Sequence, residues 1–302
     1  MVPAGPDVTV ENAQSVPITE VARLLGVPMP TLRSWELRYG IPELTGRRPG
    51  QHRRYRPDEV NALRLMRDEI ARGQQAAVAA ESVRQLLGRT GPAQELIHRI
   101  LTAAERMDPV GIRARLDEAV STLGLAACLD DVLLPAMRQV GLWWATGHCD
   151  VVHERMATEA ARAWLDRRTS LAPAPTRSRS ILLACGPSDL HTIGLESTAL
   201  LLRYRGWPCR LLGARTPTLT VATAARASAV AGVIVVSHLA SGRLRAIESI
   251  RAVHDLDIAV FYAGNAFITP RSRRGVPGQY LGVRIEDACA LLTHELAPDD
   301  SS

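Results

Sequence analysis

The spacing of apolar residues divides the chain into regions with different periods. Short helical patterns occupy residues 15–74, apolar positions recur three to four residues apart through 75–168, and short β-branched and aliphatic runs alternate with helix-like segments over 180–296. These patterns predict a small helical domain, a four-helix bundle and βαβ units around a parallel sheet, in that order. Residues 169–179 break every period and predict a linker, and the polar residues 1–14 predict a disordered lead-in.

The first region combines two short helices with an arginine-rich turn. Helical patterns over 18–27 and 31–39 flank a tight turn, which is the helix-turn-helix layout whose second helix enters the major groove of DNA. Five arginines follow within 47–56, where neutralisation of phosphates is a better explanation than a merely solvated loop. Residues 17–72 hold eleven arginines and seven acidic residues, a net charge of +4 in a chain of net charge +5. This region therefore predicts a DNA-binding domain.

The same residues resemble the winged-helix DNA-binding domain of the MerR family. Motifs of that family occur in its order and spacing: Glu20-Val21-Ala22, Gly26-Val27, Thr31-Leu32-Arg33, Trp35-Glu36, Tyr39-Gly40 and Arg53-Arg54-Tyr55. The resemblance implies a double-stranded operator as partner and binding as a dimer. The DNA-contacting residues that it implies are Thr19, Thr31, Arg33, Trp35, Arg38, Tyr39, Arg47, Arg48, His52, Arg53, Arg54 and Tyr55. Trp35 fits a position in the domain core equally well.

Polar motifs follow three predicted strands of the last region, at the point where each strand ends. They are Asp189-Leu190-His191-Thr192-Ile193-Gly194, Ser237-His238-Leu239 and Ala263-Gly264-Asn265. The carboxyl ends of parallel strands meet at one edge of the sheet, where open α/β folds bind their ligands. Asp189 can accept an imidazole N–H from His191, which leaves the other ring nitrogen free for a metal.

This combination resembles, over residues 180–292, the cobalamin-binding domain in which the dimethylbenzimidazole tail leaves cobalt and enters a slot in the fold. The resemblance implies that His191 ligates cobalt, for which imidazole is a suitable ligand. The other residues implied around the cofactor are Asp189, Gly194, Gly213, Thr216, Ser237, Leu239 and Gly264. Gly194 and Gly264 are expected to leave room for the tail, and His238 is given no role.

The predicted bundle resembles the capping bundle of cobalamin photoreceptor regulators of the CarH and LitR type. Trp144 and Glu154 keep the spacing of that group, which implies that they and Arg155 cover the upper face of the cofactor. Arg155 and Ala145 stand where the group has histidines, and His148 and His153 lie nearby. The resemblance implies a repressor that adenosylcobalamin assembles from dimers into a tetramer and that light releases from DNA.

Alternatives remain open from the sequence. With Arg155 and Ala145 in place of two histidines, a MerR-type regulator can bind cobalamin, or another small ligand, without sensing light. A corrinoid-dependent enzyme or methyl carrier is disfavoured, because the chain has no room for a catalytic barrel, and we expect no enzymatic activity. Five cysteines without metal spacing predict reduced, mostly buried thiols. The chain shows neither a signal peptide nor a membrane-spanning run, which predicts a cytoplasmic protein.

Overall fold

The computed structural model describes residues 16–42, 54–71, 74–87, 91–145, 150–228 and 230–296, which form two units, Met1–Gly88 and Arg89–Ser302. The α-helices are α1 (Ile18–Leu25), α2 (Met29–Tyr39), α3 (Pro57–Ala71), α4 (Ala76–Leu87), α5 (Pro92–Glu105), α6 (Pro109–Leu123), α7 (Leu125–Ala127), α8 (Leu134–Ala145), α9 (Val151–Ser170), α10 (Ile193–Tyr204), α11 (Thr218–Ala227), α12 (Arg243–His254), α13 (Pro270–Arg273) and α14 (Ile285–Glu295). The strands are β1 (Val16–Pro17), β2 (Arg54–Tyr55), β3 (Ser180–Cys185), β4 (Cys209–Gly213), β5 (Val230–Val236), β6 (Val260–Ala263) and β7 (Gln279–Tyr280). The multidomain architecture expected from the sequence, with α and α/β parts, is confirmed.

The first unit has the expected helix-turn-helix. Helices α1 and α2 pack together, and β1 pairs antiparallel with β2, so that Val16 faces Tyr55. Helix α4 also belongs to this unit, since it packs on α2 and α3 and the Arg84 guanidinium donates to the Tyr39 carbonyl at 2.8 Å. Helical periodicity alone assigns α4 to the predicted bundle region 75–168. Helical periodicity gives the face of a helix but not the unit that buries that face.

The second unit begins with the predicted four-helix bundle. Its helical segments are α5, α6, the continuous run of α7, a π-helical turn (Cys128–Leu133) and α8, and finally α9. Helices α5 and α6 begin at Pro92 and Pro109, as the sequence predicts, because proline at a first helical position removes only an N–H that lacks a helical partner. Helix α9 ends at Ser170, close to the predicted start of the linker.

The sheet of the second unit has five parallel strands in the order β4-β3-β5-β6-β7. Every residue of β3 is buried, which explains why the strand is an unbroken apolar run rather than an alternating one. Alternate strand residues contribute to two cores. One core contains α10, α14 and the bundle, and the other contains α11 and α12. Helices therefore cover both faces, as in doubly wound α/β folds.

A pair of aspartates joins the bundle to the sheet region. The buried Asp130 carboxylate accepts the backbone N–H groups of Ile285 at 2.7 Å and Glu286 at 3.0 Å, which caps the start of α14. Asp131 pairs with Arg284 at 3.0 Å. These contacts attach the π-helical turn of the bundle to the last helix of the sheet region.

Four of the five cysteines lie among the described residues. Cys128, Cys185 and Cys289 are buried and Cys209 is half-buried, and none of these four forms a disulfide. Burial raises the pKa of the Cys128 and Cys185 thiols to about 12, so both are protonated at neutral pH. Cys149 lies outside the described residues.

Within the described ranges, no helix combines the length and apolarity that crossing a bilayer requires.

Candidate functional site

The candidate site lies where the strand order of the parallel sheet reverses. Strand β3 has β4 on one side and β5 on the other, so the chain leaves β3 in one direction and later continues in the opposite direction. The loops that follow β3 and β5 therefore border the crevice in which open α/β sheets bind ligands. The predicted motifs 189–194 and 237–239 follow these two strands.

Asp189 holds three loops together at this crevice. Its Oδ1 accepts the backbone N–H of His191 at 2.9 Å and the His191 Nδ1–H at 2.8 Å. Its Oδ2 accepts the backbone N–H of His238, after β5. Its carbonyl accepts the backbone N–H of Arg215, after β4, at 2.8 Å. Asp189 thus ties the loop that carries His191 to both neighbouring loops, through its carboxylate to the loop after β5 and through its backbone carbonyl to the loop after β4.

The electrostatics of Asp189 suit an acceptor that stays ionised. Burial alone would raise the pKa of Asp189, but the hydrogen bond from the His191 ring, the charge of His238 and the two backbone N–H groups outweigh it and hold the pKa at about 2. A carboxylate has no proton to give, so Nδ1 of His191 is the donor and Nε2 is left as the free lone pair. The His191 side chain is 58% exposed, which leaves Nε2 able to meet a ligand.

This lowered pKa predicts acid sensitivity. Because the folded pKa lies below the ordinary value of 3.8, Asp189 stabilises the fold above pH 4 and loses that contribution as pH falls toward 2. The contribution at neutral pH is about 2 kcal/mol. In urea unfolding from pH 6 to pH 2, we expect the gap in unfolding free energy between wild type and Asp189→Asn to be largest above pH 4 and to shrink toward pH 2. Asp255→Asn, which changes an exposed carboxylate, is the control, and a gap independent of pH would contradict the assignment.

Ser237 and Thr216 line the loops beside Asp189. Ser237 is 1% exposed, and its Oγ has no hydrogen-bond partner among the described residues. A buried hydroxyl without a partner carries a desolvation penalty, which a bound polar group would relieve. Thr216 is buried, and its hydroxyl donates to the Gly213 carbonyl at 3.1 Å. Leu239 is partly exposed at the rim.

The three glycines expected at the site differ in what surrounds them. A Cβ at Gly264 would lie 2.2 Å from the Ser237 carbonyl oxygen, and the backbone there has φ +102°. Gly264 is therefore required by the close approach of the Ser237 backbone, whereas the sequence analysis attributed it to room for a tail. A Cβ at Gly194 would meet only Leu134, at 4.0 Å, and at Gly213 it would meet nothing within 4 Å.

Helix α9 of the bundle reaches the same region. Arg162 pairs with Glu196 at 3.3 Å and donates to the Thr192 hydroxyl at 3.3 Å, next to His191. Arg155, which is exposed, precedes Arg162 by seven residues and so lies on nearly the same helix face, roughly 10 Å along the axis. Glu154 accepts a hydrogen bond from Thr158 at 3.0 Å. The Trp144 side chain lies outside the described residues.

Sequence reasoning missed His238. Besides the bond from its backbone to Asp189, its ring lies 5.5 Å from the His191 ring, centroid to centroid, at an interplanar angle of 60°. Burial lowers the pKa of His238 to about 4, so the ring is neutral at physiological pH. Its position between Ser237 and Leu239, at the end of a buried strand, was the available signal.

Most of the described residues expected to contact DNA are accessible in the first unit. Thr19, Arg33, Arg38 and Arg54 are exposed, and Thr31 and Tyr39 are half-buried. Arg47, Arg48, His52 and Arg53 lie outside the described residues.

Trp35 and Tyr55 correct the expected DNA contacts. Trp35 is 5% exposed, and Tyr55 is fully buried and donates its hydroxyl to Glu36. Both aromatic rings pack in the core of the unit and are withdrawn from its surface. We therefore assign them a structural role, and for Trp35 this is the alternative that the sequence left open.

Comparison with known proteins identifies both units. The model of the MerR HTH family regulatory proteins matches residues 16–86, and that of a B12 binding domain matches residues 96–169. The monomethylamine corrinoid protein of Methanosarcina barkeri has a similar fold, with a TM-score of 0.54 at 14% identity over 68% of this chain and 100% of that one.

Two curated proteins of Myxococcus xanthus resemble the chain over most of their length. The HTH-type transcriptional repressor CarA is 32% identical over 206 residues, which are 66% of this chain and 68% of CarA. The HTH-type transcriptional repressor CarH is 32% identical over 215 residues, 66% of this chain and 71% of CarH. The chain is thus a B12-binding, MerR-type transcriptional regulator rather than an enzyme, and it belongs to the family of CarA and CarH.

Proposed function

We propose that this chain is a repressor whose hold on DNA is set by adenosylcobalamin and by light, with His191 as the protein ligand of cobalt. The observation that carries the proposal is the pair of Asp189 and His191 at the strand reversal. The buried carboxylate fixes Nδ1 of an otherwise exposed imidazole, which leaves Nε2 as the metal-binding nitrogen.

The residues around His191 fit a cobalamin. Ser237 offers a buried hydroxyl in need of a partner, and a Cβ at Gly213 would meet nothing within 4 Å, so open space borders that loop. Bound cobalamin would supply cobalt as a metal for the His191 imidazole and, in its adenosyl form, a light-sensitive group. Above it, Trp144, Glu154 and Arg155 of the bundle are the candidates to cover the adenosyl group.

The proposed regulation couples cofactor binding to the assembly of the oligomer. A ligand shifts an assembly equilibrium only by binding one state better than another. The cofactor would lie between the bundle and the sheet region, so a change in its bound form would change the packing of the bundle. We infer that the adenosyl form favours a tetramer with several DNA-binding units, and that light returns the protein to a smaller oligomer. Arg33, Arg38 and Arg54 would contact the operator in either state.

A mobility-shift assay on the native operator tests the proposal. We expect adenosylcobalamin in the dark to tighten DNA binding at least tenfold and illumination to reverse the gain, with a matching fall in oligomer size. Arg33→Ala is the control, because it should weaken DNA binding while cobalamin uptake stays normal. A DNA affinity that is the same with and without cobalamin would overturn the proposed control by the cofactor.

A second candidate keeps cobalamin but removes the response to light. The exposed Arg155 and the sequence position of Ala145 favour it, since each stands where the resemblance implies a histidine. In that case the dark complex would form as above, and illumination would leave both the DNA affinity and the oligomer size unchanged.

A further inference from the structure

We propose that His238 is a positioning residue that sets the orientation of the His191 ring and so the strength of its bond to cobalt. This inference rests on the ligation by His191 proposed above. It starts from one contrast: the ligand-carrying ring is more than half exposed, yet a metal ligand has to be held at one angle.

Asp189 alone does not define the ring plane. Its Oδ1 accepts the Nδ1–H of His191, which fixes the tautomer and one edge of the ring. Because the side chain is 58% exposed, this one hydrogen bond still allows χ1 and χ2 of His191 to vary together within the range of hydrogen-bond geometry. A second contact, from another direction, is needed to select one orientation.

His238 supplies that second contact. Its ring lies 5.5 Å from that of His191 at an interplanar angle of 60°, a tilted pair at the distance of aromatic contacts. The backbone N–H of His238 donates to the same Asp189 carboxylate, at Oδ2. The Asp189 carboxylate therefore binds both the His191 ring and the backbone of His238, whose own ring lies beside that of His191.

His238 lies in the loop that follows the buried strand β5. The role proposed for it is the packing of its ring against the His191 ring, so an aromatic residue of similar size should replace it.

The test uses the full-length protein loaded with cob(II)alamin, with the histidines labelled with ¹⁵N. The nitrogen splitting in the electron paramagnetic resonance spectrum shows whether a protein histidine occupies the axial position. We expect the wild type to show the ¹⁵N pattern, His238→Phe to retain it, and His238→Ala to lose at least half of it with about tenfold weaker cobalamin binding. Melting temperatures of the unloaded proteins check that both variants fold.

Each other outcome has a definite meaning. A wild type without the ¹⁵N pattern overturns the ligation by His191, and with it this inference. A labelled wild type together with an unchanged spectrum and affinity in His238→Ala overturns the inference alone. Loss of the pattern in His238→Phe also overturns it, because ring packing would then not be the role of this residue. If His238→Ala is unfolded, the comparison of His238→Phe with His238→Leu, which fills space without a ring, decides in the same way.

Discussion

Replacing His191 by alanine should weaken cobalamin binding at least 100-fold. The variant removes the imidazole whose Nε2 is proposed to ligate cobalt, while the Asp189 carboxylate remains in its loop. Loss of a residue that merely supports a metal ligand commonly costs 10- to 100-fold in affinity, so loss of the ligand should cost about 100-fold or more. Absorbance titration of the unloaded protein with adenosylcobalamin in the dark measures this change.

Folding and binding separate cleanly in this variant. The His191 side chain is 58% exposed, so its truncation removes little packing and one hydrogen bond to Asp189, and it should lower the unfolding free energy by at most about 2 kcal/mol. His294→Ala is the matched control, because that side chain is 87% exposed near the end of α14. Uptake by His191→Ala that equals the uptake of this control would remove His191 as the ligand.

The parallel sheet and the edge that carries the candidate site could be predicted because both depend on local sequence. Strand β3 is buried on both faces and so appears as a continuous apolar run. The polar motif after it then has to lie at the carboxyl edge, whatever the rest of the chain does. The spacing of Asp189 and His191 likewise places the two side chains in one short loop, and they meet there as expected.

Features that depend on contacts between distant residues could not be predicted. The contact of His238 with Asp189 joins residues 49 positions apart, through the pairing of β5 with β3. Tyr55 looked like a DNA contact in an arginine-rich segment, yet it closes the core of its unit through Glu36. The sequence motif is compatible with a DNA contact and with a core position, and only the fold shows whether the aromatic ring is exposed or buried.

Gly264 is another residue whose role depends on a contact with a distant residue. Its place after β6 suggested room for a ligand, but the neighbour that requires glycine is the backbone of Ser237. That backbone is held on both sides, since the Ser237 N–H donates to the Ala263 carbonyl at 3.1 Å and the Ser237 carbonyl accepts from Ala266 at 3.1 Å. Ser237 therefore cannot move aside without breaking these hydrogen bonds, which hold a loop of the candidate site.

We expect Gly264→Ala to lower the unfolding free energy of the unloaded protein by about 3 kcal/mol, from an alanine strained at positive φ and a Cβ forced against backbone. The new Cβ would lie 2.2 Å from the Ser237 oxygen and 2.7 Å from its carbonyl carbon. Cobalamin binding should fall as well, because the displaced loop carries Ser237 and the backbone donor to Asp189.

Alanine substitutions at two other glycines of the same unit separate backbone strain from the clash with the Ser237 backbone. Gly213→Ala, at φ +82° with open space, isolates the conformational strain of about 1–2 kcal/mol. Gly194→Ala, in helix α10 with its nearest neighbour at 4.0 Å, should be neutral or slightly stabilising. Urea unfolding of the three variants measures their unfolding free energies and so ranks their stabilities. If Gly264→Ala loses no more stability than Gly213→Ala, the Ser237 backbone does not set the requirement for glycine, and the loop after β6 is free to adapt to what binds beside it.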